Sequence, residues 1–364
     1  MELNDFYAKR SDREKMICEY RTKQRPHVVL LGAGASCAAI PYGDKNARKI
    51  SAMDGFCETI GISKNINKYG LHTKSKNLED IYMEVHERAK TDTKFIELES
   101  SIENDIRAYL NEFILPDAPT VYDFLILALR EKDVIATFNW DPLIVQAYAR
   151  AASITSRLPK LLFLHGNVAV KYAGSGPRTR IYMDQCDAMP KDAKILPLLY
   201  PIANKEYSKN TAINNQWEQL RYYMQRAYRF SIFGYSAPRS DQEAIAMLQS
   251  AWGHADNRNF EQTEIIDIKT DEELHSTWES FICSHHYDIV NCFFKSSISM
   301  FPRRTCETLF DTKMNLLFSK GTNLGFQPNM TFKEIEGLLS PLLNDEENTE
   351  YKPLEDPYVE NANC

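Results

Sequence analysis

The chain has 364 residues, 43% hydrophobic and 26% charged, an ordinary globular composition for about two domains. Its formal net charge of -7 argues against a nucleic-acid binder that works through its overall field. The opening "MELNDFYAKRSDREK" has no secretory pattern, and the longest low-polarity run, 28–41, is too short and glycine-rich to span a bilayer. A soluble cytoplasmic protein without direct membrane binding is therefore expected.

Residues 1–26 read as a polar, helical leading arm. "HVVLLGAGAS" follows, with four apolar residues at 28–31 bounded by glycine, which predicts a buried parallel strand entering a tight turn. Residues 44–131 are rich in helix formers. "NLEDIYMEVHERAK" carries apolar residues at 78, 81, 82 and 85, and "SIENDIRAYLNEFIL" repeats that spacing. "TVYDFLILALREK" is apolar nearly all round and predicts a buried helix. Strand patterns return at 134–138, at 160–164, at about 229–233 and at about 264–268. Helical stretches such as "NNQWEQLRYYMQRA" and "DQEAIAMLQSAWG" lie between the later ones. Apolar strands alternating with helices predict an α/β fold, a parallel sheet with helices on both faces. A flexible loop is expected at 174–177 and turns around 186–192. An acidic tail follows residue 341, with seven acids against one lysine.

Eight cysteines are scattered without a C-x-x-C pair, which argues against a disulfide framework. "CSHH", with Cys283, His285 and His286, lacks partner ligands for a metal and reads as a helix end with a buried thiol.

The chemistry-bearing residues fall at strand ends. In "GAGAS", Gly32 and Gly34 permit close approach of backbone N–H groups to a phosphate, and Ser36 can donate or cap. The third glycine of a full dinucleotide fingerprint is replaced by Cys37, so a purely structural turn stays open. In "TFNWDP", Asp141 sits where an N-cap belongs and Pro142 at the first helical position. That accounts for Asp141 without chemistry but not for Asn139, which ends a parallel strand where open α/β sheets bind ligands. His165 in "LHG" falls at the same edge, with Gly166 freeing space beside it. In "FGYSAPRSDQEA", Gly234 ends a strand, Ser236 is the next small polar residue, and Asp241 can cap the following helix. Asp267 in "IIDIK" is placed to meet a ribose hydroxyl or to serve as an edge-strand charge.

The ordered set Gly32-Ala33-Gly34-Ala35-Ser36, Thr137-Phe138-Asn139-Trp140-Asp141, Leu164-His165-Gly166 and Gly234-Tyr235-Ser236 resembles the sirtuin family over about residues 27 to 270. That resemblance implies a Rossmann-like NAD domain with a small helical module. The expected organisation is an arm at 1–26, a sirtuin-like NAD-binding catalytic domain at 27–274 with a helical insertion at 44–131, and a helical C-terminal extension with an acidic tail at 275–364. Deacylase members carry a four-cysteine zinc module after the histidine motif, whereas 167–200 here contains only Cys186. Residues 40–44, "IPYGD", also depart from the family pattern. The chain looks more like the zinc-free bacterial branch, whose members hydrolyse NAD in antiphage defence. "LLYPIANKEYSKNTAINNQWEQL", with Pro201, Lys205 and Trp217, is similar to that branch too. The resemblance implies NAD as substrate, no zinc, a gated homo-oligomer, and a HerA-like ATPase or Argonaute-like partner.

Loss of nicotinamide from NAD needs no general acid, because the leaving group is neutral, and positive charge builds on the ribose. The assignments that follow are Asn139 to water positioning, His165 to general base and Asp141 to electrostatic support. Residues 32–36 would hold the pyrophosphate, Gly234 and Ser236 would line the adenosine side, and Asp267 would reach its ribose. A nucleotide sensor without turnover, a protein deacylase and a nuclease subunit are the rival readings.

Overall fold

The computed structural model describes residues 25–50, 56–61, 69–176, 179–183, 186, 188–200, 207, 210–238, 241–254, 258, 260–282, 286–314 and 325–348. Most of the expected leading arm, Pro201, Lys205, Cys283, His285 and the end of the acidic tail lie outside them.

In chain order the elements are β1 (His27–Leu31), α1 (Ala33–Ala39), α2 (Phe56–Thr59), α3 (Leu78–Ala89), α4 (Thr93–Asn111), α5 (Val121–Ala128) and β2 (Val134–Thr137). Then come α6 (Leu143–Ala152), β3 (Lys160–Phe163), β4 (Val170–Ala173), β5 (Arg180–Met183), β6 (Lys194–Ile195), α7 (Thr211–Arg226) and β7 (Arg229–Phe233). The chain continues with α8 (Gln242–Trp252), β8 (Gln262–Ile266), α9 (Asp271–Trp278), β9 (Tyr287–Val290), α10 (Ser297–Met300), α11 (Thr305–Met314) and α12 (Phe332–Asn348).

Six strands form one parallel sheet in the order β3-β2-β1-β7-β8-β9. The fold is α/β and Rossmann-like. Residues 28–31 and 134–136 are buried because helices cover the sheet, and continuous apolar strands need such cover. The chain runs from β1 outward to β2 and β3, then crosses back to β7 and continues outward to β9. The topological switch point therefore lies between β1 and β7, at whose carboxyl end open sheets form their ligand crevice.

Several boundaries differ from the sequence reading. The eighth strand spans Gln262–Ile266, not 264–268, so Asp267 follows the strand, and its Oδ1 accepts from the Lys269 N–H at 3.1 Å. Helix α6 has Pro142 at its N-cap and begins at Leu143. Asp141, expected at that N-cap, sits one residue earlier and still accepts from the Leu143 N–H at 3.1 Å. Asp241 occupies the N-cap position of α8 without a side-chain capping bond, because its carboxylate accepts from the Tyr235 hydroxyl at 2.8 Å. The expected loop and turns are the connections of a small antiparallel sheet, β5-β4-β6, whose strands the sequence reading did not include. Residues 174–176 fall in its β4–β5 connection, with Gly174 and Gly176 at positive φ. The sixth strand of the main sheet, β9, comes from beyond residue 274.

The helical stretch after residue 44 divides between two cores. Helix α5 packs into the main core, as its all-round apolar surface requires. Helices α2–α4 make a second core from Phe56, Leu78, Ile81, Val85, Leu98 and Ile106. Leu198, Tyr200, Trp140 and Val168 join that core from the sheet side, so the module sits against the segments that follow β2 and β3.

Candidate functional site

Strand β2 ends at Thr137, whose hydroxyl accepts from the Asn139 N–H at 2.9 Å and turns the chain. The Asn139 carboxamide is 7% exposed. Its Nδ2 donates to the Gly32 carbonyl at 2.8 Å and to two hydroxyls, Ser36 Oγ at 2.9 Å and Tyr122 OH at 3.1 Å. A carbonyl only accepts, so the Gly32 contact fixes which way the amide faces. Ser36 Oγ donates to Asp141 Oδ2 at 2.6 Å and lies 2.7 Å from the Tyr122 hydroxyl. With the Ser36 proton on Asp141, Tyr122 must donate to Ser36, and its oxygen accepts from Asn139. The result is one directed chain ending on the Asp141 carboxylate.

Burial raises the Asp141 carboxyl above its ordinary range, while the Ser36 hydroxyl and the Leu143 N–H pull it back down. Burial also holds the Tyr122 phenol far above its usual value, and the nearby Asp141 adds to the shift. Asn167 clamps this turn from behind, donating to the Asp141 carbonyl at 2.6 Å and the Asn139 carbonyl at 3.2 Å.

His165 follows β3 and is 4% exposed. Its Nε2 lies 3.0 Å from the Tyr207 hydroxyl and 4.0 Å from Asp241 Oδ1. Trp217 steadies the preceding residue by donating to the Leu164 carbonyl at 3.2 Å. Gly166 has φ 80°, and a Cβ there would collide with the Pro197 carbonyl. The space beside His165 that this glycine was expected to free is thus filled by backbone. Phe138 lies 4.5 Å from the His165 ring and 4.5 Å from the Tyr235 ring, centroid to centroid.

The predicted residues therefore form two neighbouring clusters. Gly32, Ser36, Asn139 and Asp141 meet around Tyr122. His165 and Tyr235 meet around Phe138, Tyr207 and Asp241. The clusters adjoin across the Phe138–Asn139 peptide and not through a hydrogen bond between Asn139 and His165. Gly32 and Gly34 press against Gly234 and Tyr235, and their N–H groups donate to the carbonyls of Phe233 and Gly234 at 3.0 and 2.9 Å. Those two donors are consumed in joining β1 to β7. Of the turn, Ala33, Gly34 and Cys37 are exposed, while Ala35 and Ser36 are buried. Ser236 is exposed and Asp267 half-buried at the same sheet edge.

Tyr122, Asn167, Tyr207 and the side-chain role of Asp241 were not singled out in the sequence. A tyrosine inside "VYDFLILAL" reads as core, and an aspartate before a helix reads as a cap. The one available signal was Asn167, directly after the histidine motif. Among the described residues no group of three or more His, Cys, Asp or Glu side chains is arranged to hold a metal, and no helix is long and apolar enough to cross a membrane.

No family model matches the chain, and no curated protein matches it. Among solved structures it is similar to a Sir2 with a deacetylated p53 peptide and 3'-O-acetyl ADP ribose, at 14% identity and TM-score 0.35, over 86% of this chain and 98% of that one. It is also similar to a Sir2 homologue mutant in an ADP ribose complex, at 13% identity and TM-score 0.34, over 85% and 100%. A structure concerning the mechanism and regulation of Sir2 enzymes aligns at 12% identity and TM-score 0.37, over 84% and 100%.

Proposed function

We propose that this chain is an NAD+ glycohydrolase that cleaves the nicotinamide–ribose bond. The observation that carries the reading is the set of buried polar side chains, Asn139, Asp141 and His165, just beyond the carboxyl ends of the adjacent parallel strands β2 and β3. The Asn139 donors are committed to Gly32, Ser36 and Tyr122, which leaves Oδ1 to accept from a water beneath the anomeric carbon. His165 takes a proton from that water or from a ribose hydroxyl. Asp141 supplies negative potential to the ribosyl cation through Ser36. Nicotinamide leaves as a neutral molecule, so no general acid is required.

The pyrophosphate lies on the exposed side of residues 32–36, against Ala33 and Gly34. Thr137 shapes the turn beneath it. Gly234, Tyr235 and Ser236 line the adenosine side, and Asp267 reaches its ribose. The helical module covers the nicotinamide side. In the wider proposal the chain needs no zinc and works in the cytoplasm as a homo-oligomeric effector of bacterial antiphage defence. It depletes NAD once a HerA-like ATPase or Argonaute-like partner releases it.

A second reading, a nucleotide sensor without turnover, is favoured by one fact: both Asn139 and His165 are buried and already hydrogen-bonded. The experiment is incubation of the purified chain with NAD, with release of nicotinamide followed by chromatography. Asn139→Ala and His165→Ala are each expected to lower the rate by more than ~100-fold. Undiminished turnover in either variant removes that residue from its role. Calorimetric NAD binding without nicotinamide release selects the sensor.

A further inference from the structure

Trp140 stands between Asn139 and Asp141 in sequence, yet its side chain belongs to the core of the helical module. Its backbone is clamped to the sheet side, where its carbonyl accepts from the Val168 N–H at 2.9 Å. Its indole meets the Tyr200 ring edge-on at 5.4 Å, and Tyr200 stacks on Tyr82 of α3 at 4.9 Å and 22°. Tyr82 in turn donates to Glu103 of α4 at 2.5 Å. Three rings thus connect the strand end that carries Asn139 to the two long helices of the module.

This seam is under-satisfied. The Trp140 indole N–H and the Tyr200 hydroxyl are both shielded from solvent, and among the described residues neither has an acceptor for its proton. The Arg107 guanidinium lies near the Tyr200 hydroxyl but can only donate to it, so the phenol O–H still has no acceptor among the described residues. A buried donor left unmet costs free energy that exposure to water returns. The module also has its own hydrophobic core, so it can separate from the sheet edge without dissolving.

We propose that the Trp140–Tyr200–Tyr82 stack is the latch of a lid: helices α2–α4 open at this seam, and the two unmet donors bias the latch toward opening. The inference rests on reading the module as the cover of the candidate NAD site. In the open state water reaches the indole N–H and the phenol, and the path to Asn139 clears. In the closed state Trp140 is held by the module while its neighbours Asn139 and Asp141 are held by Tyr122 and Ser36.

The test is hydrogen–deuterium exchange on the full chain, read peptide by peptide. Trp140→Phe and Tyr200→Phe each keep a ring and delete an unmet donor. Each is expected to slow exchange in α3 and α4 by about fivefold or more, while β1 and β7 are unchanged. Exchange in α3 and α4 that is unchanged or faster in both variants, or slowing spread equally over β1 and β7, overturns the latch. Nicotinamide release is measured on the same samples. Absence of release in the wild type defeats the glycohydrolase reading and leaves the exchange result to decide the latch by itself.

Discussion

Tyr122 shows how much one side chain within a core helix can decide. Its hydroxyl is the only polar atom of that side chain, and it sits between Asn139 and Ser36, receiving from one and donating to the other. Tyr122→Phe removes the bridge while keeping the ring. The expected cost is about 1 kcal/mol in urea unfolding, the usual net worth of one neutral hydrogen bond. His27 is a second buried polar centre, at the opposite edge of the sheet. Ser231 Oγ donates to Glu264 Oε2 at 2.9 Å, so it must accept from His27 Nε2 at 2.7 Å, while Nδ1 lies 2.9 Å from the Thr305 hydroxyl. Burial, helped by Arg229 and Lys132, holds the His27 pKa well below its ordinary value. The unfolded chain takes up this proton near pH ~6.5. Stability from His27 is therefore complete above about pH 6.5 and falls as the pH drops below it toward the folded-state pKa. Thermal midpoints between pH 5 and 7 are expected to decline toward acid, and His27→Gln to flatten that slope while lowering stability throughout. Asn139 and His165 were visible in the sequence because each interrupts an apolar strand pattern at its end. Tyr122 was not, since nothing in an apolar helical run says which way one hydroxyl points.

Helix α5 links the candidate site to the C-terminal part of the chain. Its first turn is closed by a capping box between Thr120 and Asp123, and Asp123 is gripped by Arg150 at 2.6 and 3.0 Å. Its last turn is closed by Arg303, which is buried at φ 62° and donates to the Leu129 carbonyl at 3.0 Å. Arg303 is itself paired with Glu346 near the end of α12, at 2.5 and 2.8 Å, and Arg304 reaches the same carboxylate at 2.7 Å. Removing Glu346 leaves the buried Arg303 guanidinium without its counter-charge, while Arg304 keeps Asp345. Glu346→Ala is expected to cost about 3–5 kcal/mol, read as a lower urea midpoint. The element pattern of the sheet was legible because β1, β2 and β3 carry continuous apolar runs and β7 and β8 end in shorter ones. Strand β9 and the small sheet were not, since they are short, only partly buried and separated by glycine and polar residues. Burial on one face writes a weaker pattern than burial on two.

At the scale of the molecule, the strand order sets the working edge. The switch point between β1 and β7 brings together the ends of segments just over 200 residues apart, such as Leu31 and Phe233, and glycines at 32, 34 and 234 let the two backbones touch. Gly234, at φ 61°, is in the left-handed region and has Ala35 and Gly34 where a side chain would go. The molecule carries its charge as a modest acidic excess. Without a cationic field there are few counterions to release from a duplex. A labelled 30-base-pair DNA at about 0.15 M salt is expected to show no mobility shift with the chain at micromolar concentration. A saltable shift under those conditions would reopen the nuclease-subunit reading.

The sequence alone determined the α/β class, the strands that run into the glycine, asparagine and histidine motifs, and the common edge those motifs occupy. Each depends on local pattern: runs of apolar residues, turn formers and chain order. Only the tertiary structure decided that the Gly32 and Gly34 donors are spent on β7, that Asn139 and Asp141 are wired through Tyr122 and Ser36, and that His165 faces Tyr207 and Asp241. Those contacts join residues far apart in the chain, and their directions follow from hydrogen-bond accounting in a buried space, which no local pattern encodes.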